Sequence, residues 1–547
     1  MKIADYKAWT CPSCVFIISL LSVVPIWLFD FLPFQDLPTL MSDVAILMNY
    51  TDARYGYDRY YDIDVSLYGY WGFAAPVYAL NLIFSLETAT RLAISLFAVA
   101  LPLSVMTLVR SLGRDPWVAL MAVPLTYNYS LYMGFLTFLF ALPFFFWAMA
   151  CWYRVFGHAD LKSKQGVVLI GSAILLSFLT AQCHVIVGGL LSASVLGICL
   201  SHPLGRSKVL LLAPLGLTIL GPLVATQSSD ALRSSYGAES SVLTITWTPI
   251  WQSTENLFTK AFYPHVSWIG TVANVSYFAL LTAMTIGTLS SVRHSSVRWS
   301  CPAFVFVLVA YFAIPEGVGS TYYLSSRMIS VCILLFLASL ASRELKGIYS
   351  KLFRAGALLV AALHTAATGT LLADFQTRTE GFHTIVQQAS WGKRTLYLPF
   401  EFGNEGRDAP AALIHFDALI QVYRGGDVGH AGARYSNDHL TYKPGMMAPS
   451  PDEDAPVLFK WNELRTYYDR LLIYGKPSDY HGMYNNWLAI GAIKESEWKP
   501  PSVKSVEDEI GRAAREAVRT VRAGRWTMYE FDRQNHSSEG VSMGGGE

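Results

Sequence analysis

Stretches of about 20 mostly apolar residues recur along this chain, and no other feature limits its fold so strongly. At a helical rise of about 1.5 Å per residue, such a segment covers the ~30 Å hydrocarbon core of a bilayer. Candidate spans lie near residues 12–32, 88–109, 115–129, 131–152, 166–183, 185–201, 209–226, 268–290, 299–315, 328–343 and 353–373. That makes about eleven crossings, two of them short for an α-helix. Charged residues are only 15% of the 547, against about 25% in ordinary soluble proteins, so a wholly soluble chain is excluded. The 41 basic and 40 acidic residues leave a net charge of +1, which gives no global field to attract nucleic acid, and no nucleic-acid partner is expected.

The few charges report sidedness. Lys and Arg collect in short connections on the side where a membrane protein is synthesised. Lys2 and Lys7, Arg110 and Arg114, Arg154, Lys162 and Lys164, Arg206 and Lys208, Arg293 and Arg298, and Arg343, Lys346, Lys351 and Arg354 all fall on one side if Trp71–Leu86 does not cross. That stretch therefore reads as a helix in the outer interface, broken by Pro76. The N-terminus is then inside and the C-terminus outside. Phe16 to Leu32 is too long for a signal-peptide core and lacks a small-x-small cleavage site, so the first span is expected to be retained.

The fold class expected is an α-helical polytopic membrane protein with a C-terminal soluble α/β domain. Residues 1–374 form the transmembrane domain, with outer loops at 33–87 and 227–267. After about residue 374 charges, Gly, Pro and His return, and apolar runs shrink to strand length. Residues 375–536 read as an outer-face domain, with buried strands at Arg394–Phe400 and Leu471–Tyr474 and an amphipathic helix over Ser505–Ala523. The Ser/Gly-rich tail 537–547 reads as disordered. All seven cysteines lie in or near spans; Cys11-Pro-Ser-Cys14 has redox spacing but no second pair, and two apolar thiols at a helix start is the better reading. Neither G-x-x-x-x-G-K-[ST] nor H-E-x-x-H is present.

The first outer loop carries the chemistry. Leu32-Pro-Phe-Gln-Asp36-Leu-Pro38-Thr holds a carboxylate a few residues beyond the membrane between two prolines. Its plain alternatives are the N-cap of a helix over Thr39–Tyr50 and a solvated boundary residue. Downstream, Asp52, Arg54, Asp58, Arg59, Asp62 and Asp64 alternate with Tyr55, Tyr57, Tyr60, Tyr61 and Tyr68. Interfacial tyrosines are ordinary, but the mixture also supplies what a sugar and a phosphate need: stacking rings, carboxylates for hydroxyls and guanidinium for the anion. Arg327, in Tyr322-Tyr323-Leu-Ser-Ser-Arg-Met, is a cation at an outer helix end, or else an arginine snorkelling to headgroups. His184 falls at an outer turn, where a histidine that caps the turn is the plainer reading and one that reaches the cavity the sharper. Trp247, Trp251, Glu255, Lys260, Tyr263 and His265 in the second outer loop line an acceptor side or form an interfacial belt. Gly425-Gly-Asp-Val-Gly-His430-Ala-Gly lacks the strand-to-helix setting of a phosphate cradle and reads as a flexible loop facing the membrane site, with acceptor binding as the sharper alternative.

One span, an acidic residue just beyond it, a long outer loop, many further spans and a C-terminal outer domain together resemble the GT-C superfamily of polyprenyl-phosphate-dependent glycosyltransferases. Asp36-Leu-Pro-Thr is similar to the Asp-x-Pro-Asn-His-Leu-Ala motif of bacterial multispanning proteins related to that superfamily. Pro76-Val-Tyr-Ala-Leu-Asn-Leu with Thr90-Arg91-Leu92, and Tyr127-Asn-Tyr-Ser-Leu-Tyr-Met-Gly134-Phe135, match further patterns of that group. By layout the resemblance covers about residues 10–345; it departs at Leu40, where the motif has a polar residue.

The resemblance implies a membrane glycosyltransferase in the bacterial inner or plasma membrane, N-terminus cytoplasmic and C-terminal domain periplasmic or extracellular. A polyprenyl-phosphate-linked sugar would be the donor and a cell-envelope glycan or lipid the acceptor, with envelope-biosynthesis proteins as further partners. Asp36 would be the general base, and Arg54, Arg59 and Arg327 the candidates for the lipid phosphate. Tyr57, Asp58, Asp62, His184, Tyr322 and Tyr323 would line the substrate. A divalent cation, Mg or Mn, is open as an alternative to Arg at the phosphate, with the metal ligands unknown. Two other readings stand beside it: a lipid or glycan transporter or flippase, which would show mid-membrane ionisable residues and repeated halves, and a non-catalytic GT-C-like subunit, kept open by Leu40.

Overall fold

The structure is a computed structural model and describes residues 3–63, 70–157, 160–201, 216, 245–262, 267–289, 301–318, 322–340, 347–402, 410–434, 439–452, 455–489 and 499–532. The expected span 209–226 (apart from residue 216), the outer-loop residues 227–244 and the tail 537–547 lie outside them. The chain divides into two compact units, residues 1–32 with 65–374, and residues 33–64 with 375–547.

The first unit is helical. Among the described residues six helices are long and apolar enough to cross a membrane: Cys11–Leu28, Leu86–Ser111, Leu136–Gly157, Lys164–Cys183, Trp268–Gly287 and Gly347–Thr379. Val185–Leu200, Ala303–Ala313 and Ser326–Ser339 are shorter apolar helices. Trp71–Asn81 is one continuous helix, contrary to the expected break at Pro76. A single proline removes one hydrogen bond, to the Gly72 carbonyl, and the buried face of Gly72, Phe73, Ala74 and Val77 holds the rest together.

The expected α-helical span at 115–129 takes another form. Two 3₁₀-helices, Pro116–Ala122 and Pro124–Tyr127, replace it. Fifteen residues are short for an α-helical crossing, but a 3₁₀-helix rises about 2.0 Å per residue and reaches further. Arg114 at the start hydrogen-bonds the Ser339 carbonyl and Trp117 lies 4.3 Å from the Arg354 guanidinium, while Tyr129 beyond the end packs on Tyr323. The segment thus runs the length of the helix Ile329–Leu340. Irregular backbone at membrane depth must be enclosed by protein, and residues 118–127 are buried. Tyr277 Oη donates to the Met121 carbonyl at 3.2 Å, answering one backbone acceptor that an apolar environment leaves exposed.

The second unit is built on a four-stranded sheet in the order Thr395–Pro399, Arg470–Tyr474, Trp526–Glu530, Arg519–Ala523, its first pair parallel and the others antiparallel. The two parallel strands are buried at every position, which is why they read as short apolar runs. Leu396, Leu398, Phe400, Leu471, Ile473 and Tyr529 share a core with Tyr480, Val506 and Ala513 from the flanking helices. The expected helix over Ser505–Ala523 is corrected: the helix is Val503–Glu516, and Arg519–Ala523 is a strand. Ser502 starts the helix by accepting from Ser505 N at 3.2 Å, and the Val518 amide donates to the Glu530 carbonyl, turning the chain into the hairpin.

Residues 33–64, read from sequence as a loop of the transmembrane part, pack with the C-terminal residues. The helix Leu37–Asn49 lies on the helix Asp417–Arg424, and the strand Tyr61–Ile63 pairs antiparallel with Leu440–Tyr442. The Gly-rich segment is the hinge of this packing and not a flexible loop. Gly425 and Gly426 have φ of 70° and 84°, and a Cβ on Gly426 would lie 2.0 Å from the Lys393 carbonyl oxygen. Gly426→Ala is expected to lower stability by about 2–4 kcal/mol through strain and overlap. Gly482→Ala, in the helix Pro477–Ala489 with open space around its Cβ, is expected to raise it by about 0.5–1 kcal/mol. Thermal unfolding of the purified protein in detergent separates the two; equal midpoints would contradict this packing.

Candidate functional site

In the second unit, Asp36 stands where the helix Leu37–Asn49 begins, with Pro38 in its first turn. A capping aspartate needs extended backbone so that its carboxylate can turn back onto the first amides. Asp36 has φ −89° and ψ −2°, which is helical, and its side chain makes no capping hydrogen bond. The plain alternative of an N-cap is therefore not what this residue does. Its Oδ1 lies 3.5 Å from His415 Nε2, and one third of the side chain remains exposed while His415 is nearly buried. The preceding Gln35 accepts the Ala411 amide through Oε1 at 2.7 Å.

The rest of the loop is fixed by a buried polar network. Ser42 Oγ donates to Gln421 Oε1 at 2.5 Å, and Gln421 Nε2 donates to Tyr61 Oη at 2.7 Å and to the Gly426 carbonyl at 3.1 Å. Tyr61 and Tyr442 hydroxyls both donate to Asp427 Oδ1, at 2.5 and 2.8 Å. Arg394 Nε lies 2.9 Å from Asp427 Oδ2, with its guanidinium 4.6 Å from the Tyr60 ring. Burial pushes the Asp427 carboxyl above the usual range; Arg394 and the two tyrosine hydroxyls oppose that shift.

This arrangement separates the sequence candidates by task. Tyr57 is fully buried with Oη donating to the Gln421 carbonyl at 2.7 Å, so its ring and hydroxyl are used inside the unit and not on a substrate surface. Arg54 is exposed and grips Asp52 at 2.7 Å, and Arg59 is exposed. Arg54 holds the Asp52 carboxyl below its ordinary value, a local pair with little effect on stability. Asp58 is exposed and gives its carbonyl to Lys443 Nζ at 2.5 Å, and the exposed Asp62 lies 3.9 Å from the same Nζ.

The first unit gathers a separate cluster. Lys260 follows the helix Ile250–Thr259, and its Nζ lies 3.9 Å from Glu316 and over the rings of Tyr129 and Tyr323, at 5.4 and 5.6 Å. Glu316 accepts from the Ser325 hydroxyl, from Ser326 N at 3.1 Å and from Ser326 Oγ at 2.5 Å. It thereby fixes the turn carrying Tyr322, Tyr323 and Arg327. Tyr323 holds φ 62°, the sole non-Gly residue with positive φ among those described, at a cost of about 1–2 kcal/mol. The Arg327 guanidinium stacks 3.8 Å from the Phe135 ring centroid and donates to the Tyr322 carbonyl at 3.3 Å; Tyr322 is exposed. His184 is buried between Tyr70 and Phe138, and its Nδ1 has no hydrogen-bond partner among the described residues.

Lys260 was only one of six polar or aromatic candidates in its loop. Of the others, Trp247 and Trp251 are exposed and Tyr263 and His265 lie outside the described residues. His415 and Glu316 carried no sequence signal, since each acts through partners distant in the chain. Among the described residues no three His, Cys, Asp or Glu side chains are grouped to hold a metal ion. Asp36 and Asp427 are distinguishable by stability. Asp36→Ala is expected to change it by less than about 1 kcal/mol, whereas Asp427→Ala, which strands Arg394, is expected to cost about 3–5 kcal/mol. A large thermal destabilisation by Asp36→Ala would make that carboxylate a structural one.

No protein-family model matches this sequence, and no curated protein matches it by sequence. Its fold does match a solved structure. ArnT from Cupriavidus metallidurans, in the apo state, superposes with a TM-score of 0.53 at 10% identity, covering 97% of this chain and 99% of that one. The chain therefore has the GT-C fold that its sequence resembles, with helices long and apolar enough to cross a membrane and a C-terminal sheet-containing region.

Proposed function

We propose that this protein is a membrane glycosyltransferase that takes a sugar from a polyprenyl-phosphate donor and delivers it to a cell-envelope glycan or lipid on the outer face of the bacterial inner membrane. The observation that carries this reading is the likeness to ArnT over nearly the whole of both chains, which makes a GT-C sugar transferase the reading that the fold supports. The one-sided placement of cationic connections supports an inside N-terminus and an outside C-terminal unit.

In this mechanism Asp36 is the general base. Its side chain is one-third exposed and not engaged in capping, so one oxygen can accept the proton of an acceptor hydroxyl. The acceptor oxygen bonds to the anomeric carbon as the bond from that carbon to the phosphate oxygen breaks. The electron pair leaves with polyprenyl phosphate, which gains a negative charge. Fixed cations favour that change more in the transition state than before it. Arg327 and Lys260 are assigned this role, each held against aromatic rings that leave its charge only partly hydrated. Arg54 and Arg59 are less suited, since both are exposed and Arg54 is already paired with Asp52 at 2.7 Å.

The test uses purified protein in nanodiscs with a panel of polyprenyl-phosphate-linked pentoses and hexoses and envelope lipid as acceptor. Release of polyprenyl phosphate is the readout. Asp36→Asn is expected to slow release by about 10²–10⁴-fold without loss of thermal stability. Wild-type release by that variant would remove Asp36 from the mechanism. Arg327→Ala is expected to weaken polyprenyl phosphate binding about 10- to 100-fold, and unchanged binding would return Arg327 to a headgroup anchor.

A further inference from the structure

We propose that His415 is the positioning residue of Asp36: its imidazole, set against one carboxylate oxygen, holds the carboxylate oriented to meet the acceptor. This rests on the reading of Asp36 as general base. A carboxylate at a helix start ordinarily relaxes into capping, and the helical backbone at Asp36 denies it that partner. What it faces instead is the imidazole, with Nε2 at 3.5 Å from Oδ1. The two groups differ in exposure, one third for the Asp36 side chain and one tenth for His415, so the imidazole backs the carboxylate and does not compete for the open side.

The segment carrying His415 is anchored on both flanks. The Ala411 amide donates to Gln35 Oε1 at 2.7 Å, and Tyr397 Oη donates to the Leu413 carbonyl at 2.9 Å. The Leu413 amide reaches the Phe402 carbonyl at 3.2 Å. Immediately after His415, Phe416 packs between Phe382 and Trp526, with ring centroids 4.7 and 5.5 Å away. Gln35 and Asp36 therefore clasp one short, immobilised stretch of chain through consecutive side chains. A base must sit within a few tenths of an ångström of its working position, and a rotatable aspartate on a loop gains that only from a fixed neighbour. The His415 imidazole lies against Oδ1 of the carboxylate, and the proton taken from the acceptor hydroxyl stays on Asp36 until water removes it.

The test measures polyprenyl phosphate release from the same panel in nanodiscs, for the intact protein carrying His415→Leu, which keeps the volume and loses the donor, and His415→Gln, which keeps a donor at similar reach. His415→Leu is expected to lower kcat about 10- to 100-fold, the usual effect of removing a neighbour that orients a functional side chain, with KM for the lipid donor unchanged within about twofold. His415→Gln is expected to recover most of the loss. In an Asp36→Asn background His415→Leu is expected to add nothing, because the histidine acts through that carboxylate. A His415→Leu rate equal to wild type, or equal losses in Leu and Gln variants accompanied by lower melting temperatures, overturns this inference while a slow Asp36→Asn leaves the proposed function standing. A fast Asp36→Asn overturns both.

Discussion

The buried carboxylate of Asp427 is the constraint on which the second unit depends. A charge removed from water must be paired and hydrogen-bonded, or the segment that carries it will not stay buried. Arg394 supplies the counter-charge, and Tyr61 and Tyr442 supply hydroxyl donors from two strands that pair with each other. Tyr61 belongs to the loop that follows the first span, whereas the other three groups lie more than 300 residues later. Satisfying one carboxylate thus commits the early loop to the late domain. Gly425 and Gly426 allow the backbone to approach Tyr55 and Lys393 closely enough to do so. With the loop fixed, Asp36 at its start has a defined neighbour in His415.

The helical part of the fold was legible because bilayer thickness imposes a length that composition alone reveals. The GT-C resemblance rested on short motifs and layout, and the likeness to ArnT bears out the fold. Residues 115–129 show where hydropathy stops being informative: a stretch enclosed by other helices and one facing lipid are equally apolar, and only the Pro116 and Pro124 spacing hints at 3₁₀ geometry. Ser505–Ala523 misled for a related reason. Its charges suit a helix throughout, and the change to strand after Glu516 comes from pairing with Trp526–Glu530, a partner that local propensity does not register.

The chemical residues were legible in part. Asp36 stood out by position, since a carboxylate so near a span in a chain this poor in charge is costly without a use. Tyr57 and the Gly-rich segment looked like binding elements because tyrosine and glycine serve both recognition and close packing, and here packing claims them. Lys260 became distinctive only once Glu316, Tyr129 and Tyr323 were seen around it. Long-range partners are invisible to periodicity, and both supports proposed here, for the carboxylate and for the phosphate cations, are of that kind.

Whether Asp36 acts as a base or as a nucleophile is decided by the anomeric carbon of the transferred sugar. A base-assisted single displacement inverts that carbon, whereas attack by the carboxylate itself gives a glycosyl ester and, after a second displacement, retention. The direct measurement is the anomeric configuration of the first-turnover product by NMR, with mass spectrometry of the peptide containing Asp36. Inversion with an unmodified peptide is the expected result. Retention with a sugar adduct on Asp36 would contradict it.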